Sequence, residues 1–232
     1  MSTATLEPPP PATEATPAEP PPAATCSKVD RPTPLRFGVR DFDRIYELGV
    51  LPQRSELVDG QIIELPPVNN PHSICRGRFT TRLVPAWPEP KFIRSQDTHR
   101  FLSGWCPMPD FALLDEEPVA GATVDPPARL VIEISDATIE YDLGDKRLRY
   151  ARAGVPEYVV ADLKSRVLRV FREPVSDATT ADTAWKQVLV LSPGDEYSPL
   201  CLPDLSIDVA QVLPDVPTDQ PATDTDQPAG DQ

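Results

Sequence analysis

The chain has 232 residues, 31 of them proline, and a formal net charge of −14. No stretch of 18 apolar residues exists, which excludes a transmembrane helix, and the acid excess opposes tight, non-specific binding to nucleic acid, which depends on neutralising phosphates. The four scattered cysteines, Cys26, Cys75, Cys106 and Cys201, form no CxxC pair, so a zinc site or disulfide framework is disfavoured and reduced thiols in a cytoplasmic protein are expected.

Residues 1–34 and 214–232 read as disordered tails. Runs such as Pro8-Pro9-Pro10-Pro11 and Pro20-Pro21-Pro22, and the Asp, Thr and Gln of the C-terminal stretch, hold too little apolar surface to bury a core. No basic region followed by an apolar run marks a secretory signal. Glu7, Glu14 and Glu19 give residues 1–26 three negative charges and the last tail carries five, which leaves −6 on residues 27–213. Residues 35–213 then suffice for one domain with a sizeable core.

Within it, Asp41–Leu48 has the spacing of a short helix, stopped by Gly49. Asp59-Gly60 between Ser55–Val58 and Gln61–Leu65 signals a hairpin. Asn69 or Asn70, followed by Pro71, opens a helix that carries Phe79 and Leu83 and ends near Pro85. Strands are expected at Lys91–Gln96, Thr98–Leu102 and Met108–Leu114, and a central one at Arg129–Ser135. Ile139–Ala153 reads as a helix closed by Gly154 and Pro156. Tyr158–Ala161, Val167–Phe171 and Trp185–Leu191 read as strands, and Ser206–Leu213 as a last short helix. This order gives an α/β or α+β fold with a mixed sheet.

Glu133 is the residue that pattern alone singles out. Leu130, Val131, Ile132 and Ile134 around it mark a buried strand, and an unpaired carboxylate there costs several kcal/mol. It requires a cation such as Arg129 or Arg149, a metal, or a raised pKa. Strand alternation puts Val131, Glu133 and Ser135 on one face and Leu130, Ile132 and Ile134 on the other. Asp110 opens the preceding strand, so two carboxylates can meet at one sheet edge, as a hard divalent cation requires; a turn residue is the plain alternative. Lys146 lies one helix later. Its ammonium either reaches that cluster or makes a surface pair with Asp142, worth about 0.3–0.5 kcal/mol. Arg147, Arg149 and Arg152 make this helix basic, as a phosphate-contacting or simply solvated face.

Asp110, Glu133 in a strand and Lys146 on the next helix resemble the PD-(D/E)XK nuclease arrangement. Further motifs follow in order. They are Glu56-Leu57-Val58-Asp59-Gly60, Pro66-Pro67, His72, Gln96-Asp97, Pro109-Asp110, Val131-Ile132-Glu133-Ile134-Ser135-Asp136, Tyr141-Asp142-x-x-x-Lys146, the stretch from Tyr150 to Asp162, and Pro203-Asp204-Leu205-Ser206-Ile207. Over about residues 35–213 the chain resembles the Uma-two family of restriction-endonuclease-like proteins. The resemblance implies a mixed central sheet flanked by helices. It implies a metal-dependent endonuclease acting on nucleic acid, DNA before RNA; the oligomeric state stays open, a homodimer being one option because nucleases that cut both strands often dimerise. Asp110 and Glu133 would bind Mg²⁺ or Mn²⁺, and Lys146 would be the cationic catalytic partner. Glu56, His72 and Gln96 carry over as candidate additional site residues. The in-line lysine position, two after Glu133, holds Ser135 instead, so the lysine must be the one on the helix. The alternative is a non-catalytic member that keeps the fold for binding or regulation.

Overall fold

Asn69 sets the start of the longest helix: its side chain accepts the His72 N–H at 3.1 Å, and Pro71 occupies the first turn, where no N–H is needed. The computed structural model describes residues 33–215, so the expectations for residues 1–32 and 216–232 lie outside the described residues. The elements begin with α1 (Val39–Glu47), the hairpin β1 (Ser55–Val58) and β2 (Gln61–Glu64), α2 (Asn70–Ala86) and β3 (Phe92–Arg94). Then come β4 (Phe111–Leu114), β5 (Ala128–Ser135), and a crossover of α3 (Ile139–Tyr141), a π-helical turn (Asp142–Lys146) and α4 (Arg147–Arg152). β6 (Glu157–Asp162), β7 (Val167–Pro174), β8 (Trp185–Leu191), β9 (Glu196–Tyr197), β10 (Ile207–Asp208) and α5 (Val209–Val212) complete the chain. No helix among the described residues is long and apolar enough to cross a membrane.

The hairpin turn is where the sequence signal is strongest. Asp59 and Gly60 both have positive φ, 49° and 75°, as a type I′ turn demands. A Cβ on Gly60 would lie 2.9 Å from that of Arg36, so glycine is required there on two counts.

Six strands form one sheet in the order β3-β4-β5-β6-β7-β8. All neighbours are antiparallel except β5 and β6, which the helical crossover makes parallel. The alternation expected for β5 holds. Leu130, Ile132 and Ile134 face a core built with Cys75, Phe79 and Leu83 of α2 and Val209 and Val212 of α5. Val131 faces the other core, with Tyr150, Tyr158, Phe101, Trp105 and Trp185. Each buried large apolar side chain contributes about 1.5–3 kcal/mol. The sheet is thus covered on both faces, and the carboxylate of Glu133 belongs to the side on which the crossover packs.

The structure corrects several elements. Thr98–Leu102 is irregular rather than a strand: His99 and Phe101 donate to the Pro107 and Trp105 carbonyls, both at 2.9 Å, but Pro107 and Pro109 have no N–H to return, so a regular ladder cannot form. The strand expected at Lys91–Gln96 shortens to Phe92–Arg94, and Gln96 turns off with φ 51°. Ile139–Ala153 is broken by the π turn. Ser206–Leu213 splits into a two-residue strand paired with β9 and a single helical turn capped by Asp208, which accepts the Ala210 N–H at 2.8 Å.

Candidate active site

A cleft of about 60 Å³ opens beside the C-terminal half of β5, lined by Arg54, His72, Asp110, Glu133, Asp142 and Lys146 among others. It has room for a few waters. Asp110 sits directly before β4, whose first residue pairs with Ile132 of β5. Three donors hold its carboxylate: the Ile134 N–H at 2.7 Å, His72 Nε2 at 3.1 Å and Gln96 Nε2 at 3.0 Å. The Arg76 guanidinium fixes the Gln96 amide from behind by donating to its Oε1. The capped first turn of α2 places His72, and the left-handed backbone of Gln96 aims that side chain inward. All three side chains are therefore pinned before any ligand arrives.

Glu133 is 4% exposed and Lys146 2%. Lys146 donates to Glu133 Oε1 at 2.9 Å and lies 2.8 Å from Glu56 Oε1. Tyr150 also donates to Glu133 Oε1, at 2.8 Å. Glu56, fully buried, further accepts the Met108 N–H at 2.9 Å on Oε1 and the Tyr141 hydroxyl at 3.0 Å on Oε2. Asp142 Oδ1 stands 3.8 Å from Lys146, and its Oδ2 accepts the Thr138 hydroxyl at 2.7 Å. The π turn spans Asp142 to Lys146, and both of these end residues line the cleft. Such turns occur as single-turn insertions, often at functional sites.

Burial, reinforced by Asp142, Asp110 and Glu56, raises the Glu133 pKa even against the opposing Lys146 charge. Burial likewise raises that of Asp142. Burial alone would lower the Lys146 pKa, but Glu133, Glu56 and Asp142 outweigh it and hold the ammonium protonated. Two of its three N–H groups go to carboxylates, leaving one for the cleft. Among the described residues, Glu133 Oε2 accepts no hydrogen bond, and it too belongs to a residue lining the cleft.

The structure therefore brings Asp110, Glu133, Lys146, Glu56, His72 and Gln96 together. It replaces the two cations considered for Glu133, since Arg129 lies 3.6 Å from Asp115 and Arg149 binds Asp59 and Asp145. Lys146 is buried rather than part of a surface pair. The basic helix is not a free cationic face either: Arg147 pairs with Asp182, and Arg152 donates to the Ala178 carbonyl. Sequence reasoning missed Tyr150 as a Glu133 partner, and missed Asp142, Tyr141 and Thr138 as parts of the site. Tyr141-Asp142 stands in a motif quoted above, but nothing local told which carboxylate the tyrosines reach.

No three His, Cys, Asp or Glu side chains among the described residues converge as a ready-made ligand set. A magnesium-like cation needs only one or two carboxylates and keeps several waters. The hard oxygens of Asp110 and Glu133 on one cleft, with Glu133 Oε2 uncommitted, match that chemistry.

A protein-family model, Uma2, described as "putative restriction endonuclease", matches residues 40–210. Among solved structures the chain is similar to a crystal structure described as a "putative nuclease belonging to DUF820" from Anabaena variabilis. That match has 15% identity and a TM-score of 0.55, and it covers 76% of this chain and 97% of the other. At that identity the likeness bears on the fold alone. No curated protein matches the chain.

Proposed function

This chain belongs to the Uma2 family, and from that premise we propose that it is a divalent-metal-dependent endonuclease hydrolysing phosphodiester bonds, with DNA as the preferred substrate. The observation that carries the reading is the joint lining of one cleft by Asp110, Glu133 and Lys146, with the ammonium held between Glu133 and Glu56. Asp110 and Glu133 would hold Mg²⁺ or Mn²⁺. A cation so bound neutralises charge on the phosphodiester and makes a water more acidic.

The chain's own residues do the rest. His72, Gln96 and the Ile134 N–H fix the Asp110 carboxylate in one orientation. Lys146 and Tyr150 occupy Glu133 Oε1 and leave Oε2 to the cleft. The third N–H of Lys146 would stabilise negative charge developing on the phosphate, from a position set in advance and screened from water.

A second reading, a nuclease fold retained for binding, is favoured by one observation: Glu56, Asp110, Glu133 and Asp142 outnumber the single buried ammonium. A cleavage assay on plain DNA and RNA with Mg²⁺ or Mn²⁺ separates the two. The nuclease reading expects cleavage that Asp110→Ala or Glu133→Gln reduces by at least a hundredfold while the fold survives. Equal cleavage by those variants, or none by the parent chain, refutes it.

A further inference from the structure

The cleft is acidic, yet a phosphodiester substrate carries one negative charge per linkage. Among the described residues its lining holds two cations, Lys146 and Arg54, and Lys146 is clamped by two carboxylates. Arg54 differs. It lines the cleft, and no carboxylate among the described residues pairs with it. Its Nη1 donates to the Pro66 carbonyl at 2.9 Å, and its buried Nε has no partner. Of five N–H donors, one is committed.

The backbone places it deliberately. The Arg54 carbonyl accepts the Leu65 N–H at 2.8 Å, which extends the β1–β2 ladder by one residue. Strand alternation then puts Arg54 on the same face as Glu56, whose carboxylate reaches the buried lysine. The Pro66 carbonyl anchors one branch of the guanidinium, and no hydrogen bond among the described residues engages the other.

We propose that Arg54 is a substrate-binding residue that grips a phosphate of the nucleic-acid backbone beside the cleaved linkage. This assignment rests on the nucleic-acid reading of the cleft. A planar guanidinium suits phosphate oxygens because its paired N–H groups match their geometry. A contact to the backbone rather than to a base carries no sequence preference.

The test follows binding of the full chain to a short, fluorescein-labelled phosphorothioate duplex in Mg²⁺, which the sulfur substitution protects from cleavage, by anisotropy, between low and moderate NaCl. Arg54→Gln removes the charge while keeping a polar side chain, and Arg54→Lys keeps the charge. Arg54→Gln should weaken binding about tenfold and reduce the slope of log affinity against log salt by about 0.9, the loss of one phosphate contact. Arg54→Lys should restore that slope while recovering only part of the affinity. If the parent chain binds and Arg54→Gln binds with the same affinity and slope, Arg54 is not a phosphate ligand, whatever the cleavage assay gives. Weaker binding with an unchanged slope assigns Arg54 a purely structural role and overturns the proposal. A parent chain that binds no duplex overturns both this assignment and the reading beneath it.

Discussion

Replacing Lys146 with methionine isolates the energetics on which the site depends. At 2.8 and 2.9 Å from Glu56 and Glu133, the ammonium gains about 6 kcal/mol from each at an effective dielectric of about 20. Several kcal/mol of desolvation per ion offset most of this. The intact cluster is therefore worth little, but breaking it strands carboxylates that are at most 4% exposed. Such a loss costs about 3–5 kcal/mol, and protonation of the carboxylates limits it. With an unfolded pKa of about 4.3, neutralising one carboxylate costs about 5 kcal/mol at pH 8 and about 1.6 kcal/mol at pH 5.5. In the variant the folded-state pKa lies above the unfolded one, so stability is retained below about pH 4.3 and lost as pH rises toward the folded value. Urea unfolding followed by Trp87, Trp105 and Trp185, all buried, reads this directly. Lys146→Met should lose about 3–5 kcal/mol at pH 8 and about 1–2 kcal/mol at pH 5.5. A loss below about 1 kcal/mol at pH 8, or the same loss at both pH values, refutes the argument that a buried, unpaired carboxylate sets the cost.

Tyr150→Phe keeps the ring that packs on Trp105 and Tyr158 but removes the hydroxyl on Glu133. It should cost about 1–3 kcal/mol and weaken Mn²⁺ binding at least tenfold, because Glu133 is no longer oriented; calorimetric titration with unaltered affinity would show that Tyr150 does not position it. His99, held neutral by burial against the pull of Asp125, has its pKa lowered to about 4. The folded pKa is the depressed one, so stability present above about pH 6.5 is lost as pH falls toward 4, by up to about 3 kcal/mol. His99→Gln should flatten that part of the urea-midpoint profile, and an equally steep profile in the variant would exclude His99 as its source.

The sequence by itself determined much of this protein because its signals are local. A continuous run of β-branched and apolar residues made β5 a buried strand and exposed Glu133 as its anomaly. Asp59-Gly60 made the hairpin, and Asn69 with Pro71 made the start of α2. The order of Asp110, Glu133 and Lys146 was legible, as was a mixed sheet. What tertiary structure alone decided is which charges meet. Glu56 and Tyr141 lie 85 residues apart in sequence yet share a hydrogen bond, and no periodicity encodes that distance. The basic appearance of Arg147, Arg149 and Arg152 dissolved because Asp59, Asp145 and Asp182 sit opposite two of them and a carbonyl opposite the third. Prolines removed donors from the segment opposite the expected strand at Thr98–Leu102, an effect visible only once that partner was known. The buried ammonium depends on the same logic. Whether a lysine four residues after an aspartate lies in water or in the core is set by what packs above it, and here Glu133 and Glu56 do.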